Sequence, residues 1–178
     1  MRLLPSGKRE TFFLASVAIG LAVLLVCGTT ARRPKSGHCP SSPQTLLFAD
    51  TAAHTLTLCD RGKPTRSFTV RIGHKGTGKS REGDGKTPLG VYPIESPRAS
   101  ADYGIFIPIA YPTVEQRRRG FTGSSVGVHG PSRGVRWAGA FVNTFDTTDG
   151  CIGIATDSEM NQIADWARAS HAKRILIE

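Results

Sequence analysis

The sequence predicts a mostly β domain with one helix near its C-terminus, preceded by an apolar helix at the start of the chain. Three observations predict it. Glycine (20) and proline (11) are plentiful among 178 residues while aromatics are only 7%, a mixture that favours short strands joined by turns. Thr55-Leu56-Thr57-Leu58 and Ser67-Phe68-Thr69-Val70-Arg71-Ile72 alternate polar with apolar residues, the period-2 pattern of a half-buried strand. Thr156-Asp157-Ser158-Glu159 fits a capping box, and Met160, Ile163, Ala164 and Ala167 follow it at helical spacing. The hydrophobic fraction of 39% and charged fraction of 21% suit one globular domain and exclude a disordered chain.

The elements follow in order. Arg2, Lys8 and Arg9 precede an uncharged apolar stretch, Thr11 to Ala31. A basic start before such a run reads as an export signal. Its length lies between a signal core and a full span of about 20 residues, and Thr29-Thr30-Ala31 offers a small-residue cleavage site. Residues 1–31 are therefore a signal peptide or a membrane anchor, and any membrane contact runs through residues 11–31. Residues 32–44, rich in Pro, Ser and Arg, read as a linker. Residues 45–178 form the remaining domain.

Within that domain, 45–50 and 55–60 read as a hairpin around Thr51-Ala52-Ala53-His54, Arg61 to Pro64 as a turn, and 67–72 as a third strand. Residues 73–90 are loop-like. Their Gly/Lys content suggests a phosphate cradle, but the spacing is neither a P-loop nor a dinucleotide fingerprint. Val91 to Ile94, Gly104 to Ile109 and Val126 to Gly130 are short strands, with Pro108 at an edge or strand end. Pro131 to Asp149 is loop-rich, Gly150 to Ile154 a short apolar piece, and Lys173 to Ile177 a closing strand. Trp166 lies off the helix's apolar stripe, at the edge of the core.

The formal net charge is +9. A basic surface suits nucleic acid, anionic lipid or an anionic polymer. No RNA- or DNA-binding motif, basic block with interleaved aromatics or zinc-finger spacing is present, so no nucleic-acid partner is expected. Of four Cys, Cys27 lies in the apolar stretch, and Cys39, Cys59 and Cys151 follow it. In an oxidising compartment an odd number leaves one thiol over. A Cys39–Cys59 pair would leave Cys151 free; three separate thiols are the alternative.

Acyl transfer by a thiol needs a base, oxyanion donors and access. Cys151 has a candidate for each. Gly150 before it lets backbone approach closely, and His129, followed by Gly130 at a strand end, is the base candidate. The N–H groups of Gly150 and Cys151 are the candidate oxyanion donors. Asp149 is an acidic neighbour, and solvated turn residues are the ordinary role of Asp146 and Asp149. His38, His54, His74 and His171 have no ligand-like spacing and read as surface residues. Trp137 lines a groove or packs in a loop, and Asn143 and Thr144 face the same choice.

Val128-His129-Gly130, a loop, then Thr148-Asp149-Gly150-Cys151-Ile152 resembles the catalytic signature of the L,D-transpeptidase (YkuD-type) family. Upstream, Asp84-Gly85-Lys86-Thr87-Pro88-Leu89-Gly90-Val91-Tyr92 resembles that family's Thr-Pro-x-Gly-x-aromatic stretch. The resemblance covers about residues 45–178, and Tyr111-Pro112 with the loop after it is most similar to the YafK-like subgroup. It implies a YkuD-like β-sandwich or barrel-like domain with a Cys-His site in a groove, in an exported protein of the periplasm or cell envelope. It implies a thiol acyltransferase acting on peptidoglycan stem peptides, with Cys151 as nucleophile and His129 as base. Water in place of the acceptor amine would make a carboxypeptidase. No metal or organic cofactor is implied. Two residues depart from the signature: Asp149 stands where the family often has His, and Gly153 where it usually has Arg. Arg133 and Arg136, or one of Arg117 to Arg119, are candidates to supply the missing guanidinium. A wall-binding module without catalysis and a metal site of Cys151, His129 and Cys39 are competing readings; the second lacks the paired spacing usual for zinc.

Overall fold

The computed structural model describes residues 37–178; the apolar segment 1–31, read as signal or anchor, lies outside them, as does the start of the 32–44 segment. Among the described residues no helix is long and apolar enough to cross a membrane. The strands are β1 (Leu46–Asp50), β2 (Thr55–Asp60), β3 (Lys63–Arg71), β4 (Gly90–Pro93), β5 (Arg98–Ser100), β6 (Gly104–Pro108), β7 (Gly127–His129), β8 (Ile152–Ile154) and β9 (Arg174–Ile177). Two helices, α1 (Val114–Arg118) and α2 (Asp157–Ala169), and a 3-10 strap, Arg133–Thr144, complete them.

All the strands belong to one sheet, in the order β4-β9-β1-β2-β3-β8-β7-β6-β5. The sheet curls until its β4 edge comes against the end of β6, next to the other edge strand. Beyond β4 and β6, Ile94 bridges Ile109, with Glu95 N–H on Pro108 O at 3.0 Å and Ala110 N–H on Pro93 O at 2.9 Å. This gives the barrel-like body that the resemblance implied. Alternation decides which side chains fill it: Leu47, Ala49, Leu56, Leu58, Phe68, Val70, Ile152 and Ile154 all enter the main core. Each large side chain so buried stabilises the fold by roughly 1.5–3 kcal/mol.

The hairpin β1–β2 forms as predicted, with Leu46 opposite Cys59 and Asp50 opposite Thr55. The next turn is shorter than predicted. Arg61 and Gly62 alone carry positive φ, 48° and 80°, the twist-matched hairpin geometry. Lys63 and Pro64 already belong to β3, and Pro64 is accommodated where the register shifts between Leu58 and Cys59. α2 starts at its predicted cap: Thr156 Oγ1 accepts the Glu159 N–H at 3.2 Å and donates to Glu159 Oε2 at 3.0 Å. Met160, Ile163, Ala164 and Ala167 are its buried face, and Trp166 packs half-buried against the core edge.

The expectation of a single helix after residue 45 needs correcting. α1 carries a complete capping box, Thr113 with Gln116, and the loop-rich region after Pro131 holds the 3-10 strap, broken at Gly139 with φ 51°. β5 was also unanticipated. Residues 37–44, read as linker, are fastened to the sheet: Cys39 is disulfide-bonded to Cys59 on β2, and the His38 ring meets Phe48 edge-on at 5.0 Å. They help cover Leu46, Phe48 and Leu176 on the sheet's outer side.

Candidate active site

β8 lies between β3 and β7. Register aligns one row of residues across four strands: Arg71 beside Gly153, Gly153 beside His129, and His129 beside Phe106. Ile152 and Ile154 point into the core with no exposure. Pleating therefore turns Cys151 and Gly153 to the opposite face, where a cleft of about 840 Å³ opens. Cys151, His129, Arg71, Lys79 and Tyr103 line that cleft. The structure thus brings Cys151 and His129 together.

His129 is buried at 4% exposure, and its Nδ1 lies 2.7 Å from Gly130 O. A carbonyl only accepts, so Nδ1 carries the proton and Nε2 keeps the lone pair. Tyr103 covers the imidazole at 3.9 Å between ring centroids, with Phe106 beside the pair, 6.3 Å from the imidazole and near-parallel to it. Burial lowers the His129 pKa to about 4; its Gly130 bond opposes this, and the Arg71 charge adds to the fall. The ring is a neutral base at pH 7. Gly130 is held close under Tyr103: an added Cβ would lie 2.9 Å from Tyr103 O.

Cys151 is a half-buried free thiol whose Sγ lies 3.5 Å from Ser125 O. Burial pushes its pKa up; hydrogen bonding from the Gly127 backbone and the Lys79 charge pull it down, and Asp149 pushes it up again. Gly150 precedes it at φ 127°, with no room for a side chain against Lys86 O, so glycine is required there. Thr148 ties the turn together. Its hydroxyl donates to Cys151 O at 2.7 Å and accepts the Gly150 N–H at 3.2 Å. The Gly150 N–H, expected as an oxyanion donor, is thereby engaged by Thr148.

The Thr-Pro stretch sits beneath this turn. Asp84 accepts from Lys79 Nζ at 2.9 Å and from the N–H groups of Ser80 (2.8 Å), Arg81 (2.9 Å) and Lys86 (3.1 Å). Burial pushes the Asp84 carboxyl up, but these four donors hold it well below the usual carboxylate range. Thr87 Oγ1 accepts the Gly73 N–H at 2.8 Å. Lys79 Nζ reaches on to Asp149 O at 3.3 Å, joining the loop to the turn that carries Cys151.

Other predicted residues fall elsewhere. Asp149 is 94% exposed, with Oδ1 3.5 Å from His74 Nδ1. Arg133, Arg136 and Trp137 do not line the cleft. Arg133 is exposed, Arg136 pairs with Asp157 at 3.4 Å, and Trp137 is 85% exposed with its indole N–H on Gly134 O. The guanidinium beside Gly153 comes instead from Arg71, which sequence reasoning missed, as it missed Tyr103 and Lys79. Asn143, the buried residue of the strap itself, accepts from Arg71. His54 is no surface residue: its side chain is 17% exposed and Nε2 lies 2.9 Å from Asp146 Oδ2, while Asp146 Oδ1 accepts the Ile72 N–H. Cys39, bonded to Cys59, is unavailable as a metal ligand with Cys151.

The pattern of the YkuD family, the L,D-transpeptidase catalytic domain, matches residues 44–175. No curated protein matches the chain. The helical cell shape determining protein Pgp2 from Campylobacter jejuni superposes with a TM-score of 0.60 at 18% identity, over 84% of this chain and 52% of Pgp2. Bd1075 from Bdellovibrio bacteriovorus gives 0.55 at 20% identity, over 77% of this chain and 47% of Bd1075. The catalytic domain of the E. faecium L,D-transpeptidase gives 0.53 at 15% identity, over 78% of this chain and 100% of that domain. The chain spans about half the length of the first two. At these identities the likeness is one of fold.

Proposed function

Because the chain belongs to the YkuD family of L,D-transpeptidase catalytic domains, we propose that it performs thiol-dependent acyl transfer on peptidoglycan stem peptides. The observation that carries this reading is the pairing of a free thiol with a neutral imidazole in one cleft, the imidazole's Nδ1 being tied to Gly130 O. His129 Nε2 takes the Cys151 proton as Sγ adds to the carbonyl carbon of the stem's L,D bond. The Cys151 N–H faces the developing oxyanion. Collapse breaks the C–N bond, and the imidazolium returns its proton to the departing amine of the terminal D-amino acid. The thioester is then opened by the amine of a second stem, whose proton passes through His129, and the thiol is regenerated. Water in the amine's place gives hydrolysis instead.

Residues 1–31 would export the domain to the periplasm or cell envelope, as a cleaved signal or as an inner-membrane anchor. The cell-shape-determining role of Pgp2 supports a part in shaping the wall. The purified full chain incubated with disaccharide-tetrapeptide tests the reading. Transfer yields cross-linked dimers with released D-Ala, hydrolysis yields tripeptide, and Cys151→Ala yields neither. Turnover by Cys151→Ala at the parent rate would refute the mechanism, and no product with retained binding to sacculi would mark a binding module.

A further inference from the structure

Arg71 is 4% exposed, yet none of the ion pairs among the described residues includes it. Its hydrogen bonds go to two neutral oxygens, Asn143 Oδ1 at 3.1 Å and Ile154 O at 3.3 Å, and both leave from Nη1. A guanidinium stays charged and has five N–H donors, so Nε and Nη2 keep three for another acceptor. Lys79, the other cation lining the cleft, already holds Asp84. A buried charge without a counter-charge is costly, and this one faces the space where a substrate must lie. Gly153 sets its position. An added Cβ there would come within 2.7 Å of Arg71 Cζ and Nε, so the Arg71 side chain packs directly against Gly153, where no side chain fits.

We propose that Arg71 is a carboxylate subsite, taking the terminal carboxylate of the stem peptide whose preceding carbonyl is attacked by Cys151. The proposal rests on the stem-peptide reading above. Geometry fits it. Cys151 and Gly153 face the same way, two residues or about 6.6 Å apart along the strand. A thiol at one position and a guanidinium over the other can engage a carbonyl and a carboxylate on adjacent residues of one extended peptide. The planar fork of Nε and Nη2 matches a carboxylate bidentately. Substrate would then supply the counter-charge that no described side chain gives Arg71, and the distance between the two anchors would select the last peptide bond over internal ones.

Binding isolates the claim from catalysis. In the full chain carrying Cys151→Ala, calorimetric titration would compare the stem tetrapeptide ending in a D-alanine carboxylate with the same peptide ending in D-alanine amide. The acid is expected to bind about ten- to hundredfold tighter. Adding Arg71→Gln should bring the acid down to the amide's affinity and leave the amide within about twofold. A purely structural pin between strap and sheet would weaken both peptides alike, and that result overturns the proposal. So does equal affinity of acid and amide with Arg71 present, or binding of neither. Should Arg71→Gln not fold, Gly153→Ala displaces the guanidinium while keeping the charge; the acid-to-amide ratio must fall, and an unchanged ratio refutes the subsite. The stem-peptide reading is judged separately, by the products of the parent chain.

Discussion

Cys151 and His129 are both held away from their charged forms. Burial raises the thiol's pKa, and burial lowers the imidazole's to about 4. At pH 7 the resting pair is therefore neutral thiol and neutral imidazole, and in the proposed mechanism the proton would move only as the carbonyl is attacked. The sign of the pH dependence follows. A base that titrates near 4 stays competent down to weakly acid pH, so kcat/KM should show no inflection near the ordinary His value of 6.5 and should fall only as pH approaches about 4. Alkylation of Cys151 by iodoacetamide should climb with pH beyond the ordinary thiol range of about 8.5. A plateau of alkylation by pH 7 would show instead a resting thiolate–imidazolium pair. Cys151 and His129 were candidates from their glycine neighbours and became legible through the resemblance of Val128-His129-Gly130 and Thr148-Asp149-Gly150-Cys151-Ile152 to a family signature. Arg71 was not. It stands beside Gly153, 82 residues on in the chain, only because β3 pairs with β8, and no local pattern encodes a register.

Strands were legible where alternation decided their facing, as in β1, β2 and β3. β5 escaped because Arg-Ala-Ser has no apolar side to bury; its Arg98 instead lies over the Phe106 ring at 5.7 Å. α1 escaped because it buries none of its residues and owes its start to one capping box. The loop from Lys79 to Thr87 shows the opposite case, a segment without regular structure whose motif has a physical reason. Asp84 gathers the Lys79 ammonium and three backbone N–H groups, and the Lys86 carbonyl sits against Gly150. Asp84→Ala should leave Lys79 buried and unpaired, costing about 3 kcal/mol, and should slacken the turn that aims Cys151. Chemical denaturation and the tetrapeptide assay would read both losses. The Asp84 pKa is depressed in the fold, so its contribution is full above the unfolded value of about 3.9 and disappears as pH falls below it. Stabilities of parent and variant should converge in that acid range. A variant as stable and active as the parent at pH 7 would remove the loop from the site's support.

The described residues combine a curled sheet, joined across β4 and β6 by the Ile94–Ile109 bridge, with a covalent staple, Cys39–Cys59, that closes a loop of 20 residues. Cross-linking a loop of that size stabilises by about 3 kcal/mol through the unfolded chain. Cys39→Ser should lower the melting temperature accordingly, while stem-peptide turnover below the melting range stays at the parent level, since the staple lies on the β1–β2 part of the sheet and the cleft on the β7–β8 part. Loss of activity in the folded variant would contradict that separation. The same staple has a mechanical consequence. Any pull on the chain before Cys39 enters the domain at the disulfide and passes directly into β2. That strand is gripped by antiparallel neighbours on both sides, β1 and β3, so the load is shared as shear by two ladders of hydrogen bonds. The turn that carries Cys151 lies beyond β3, off that line of force, and would keep its geometry under such a load.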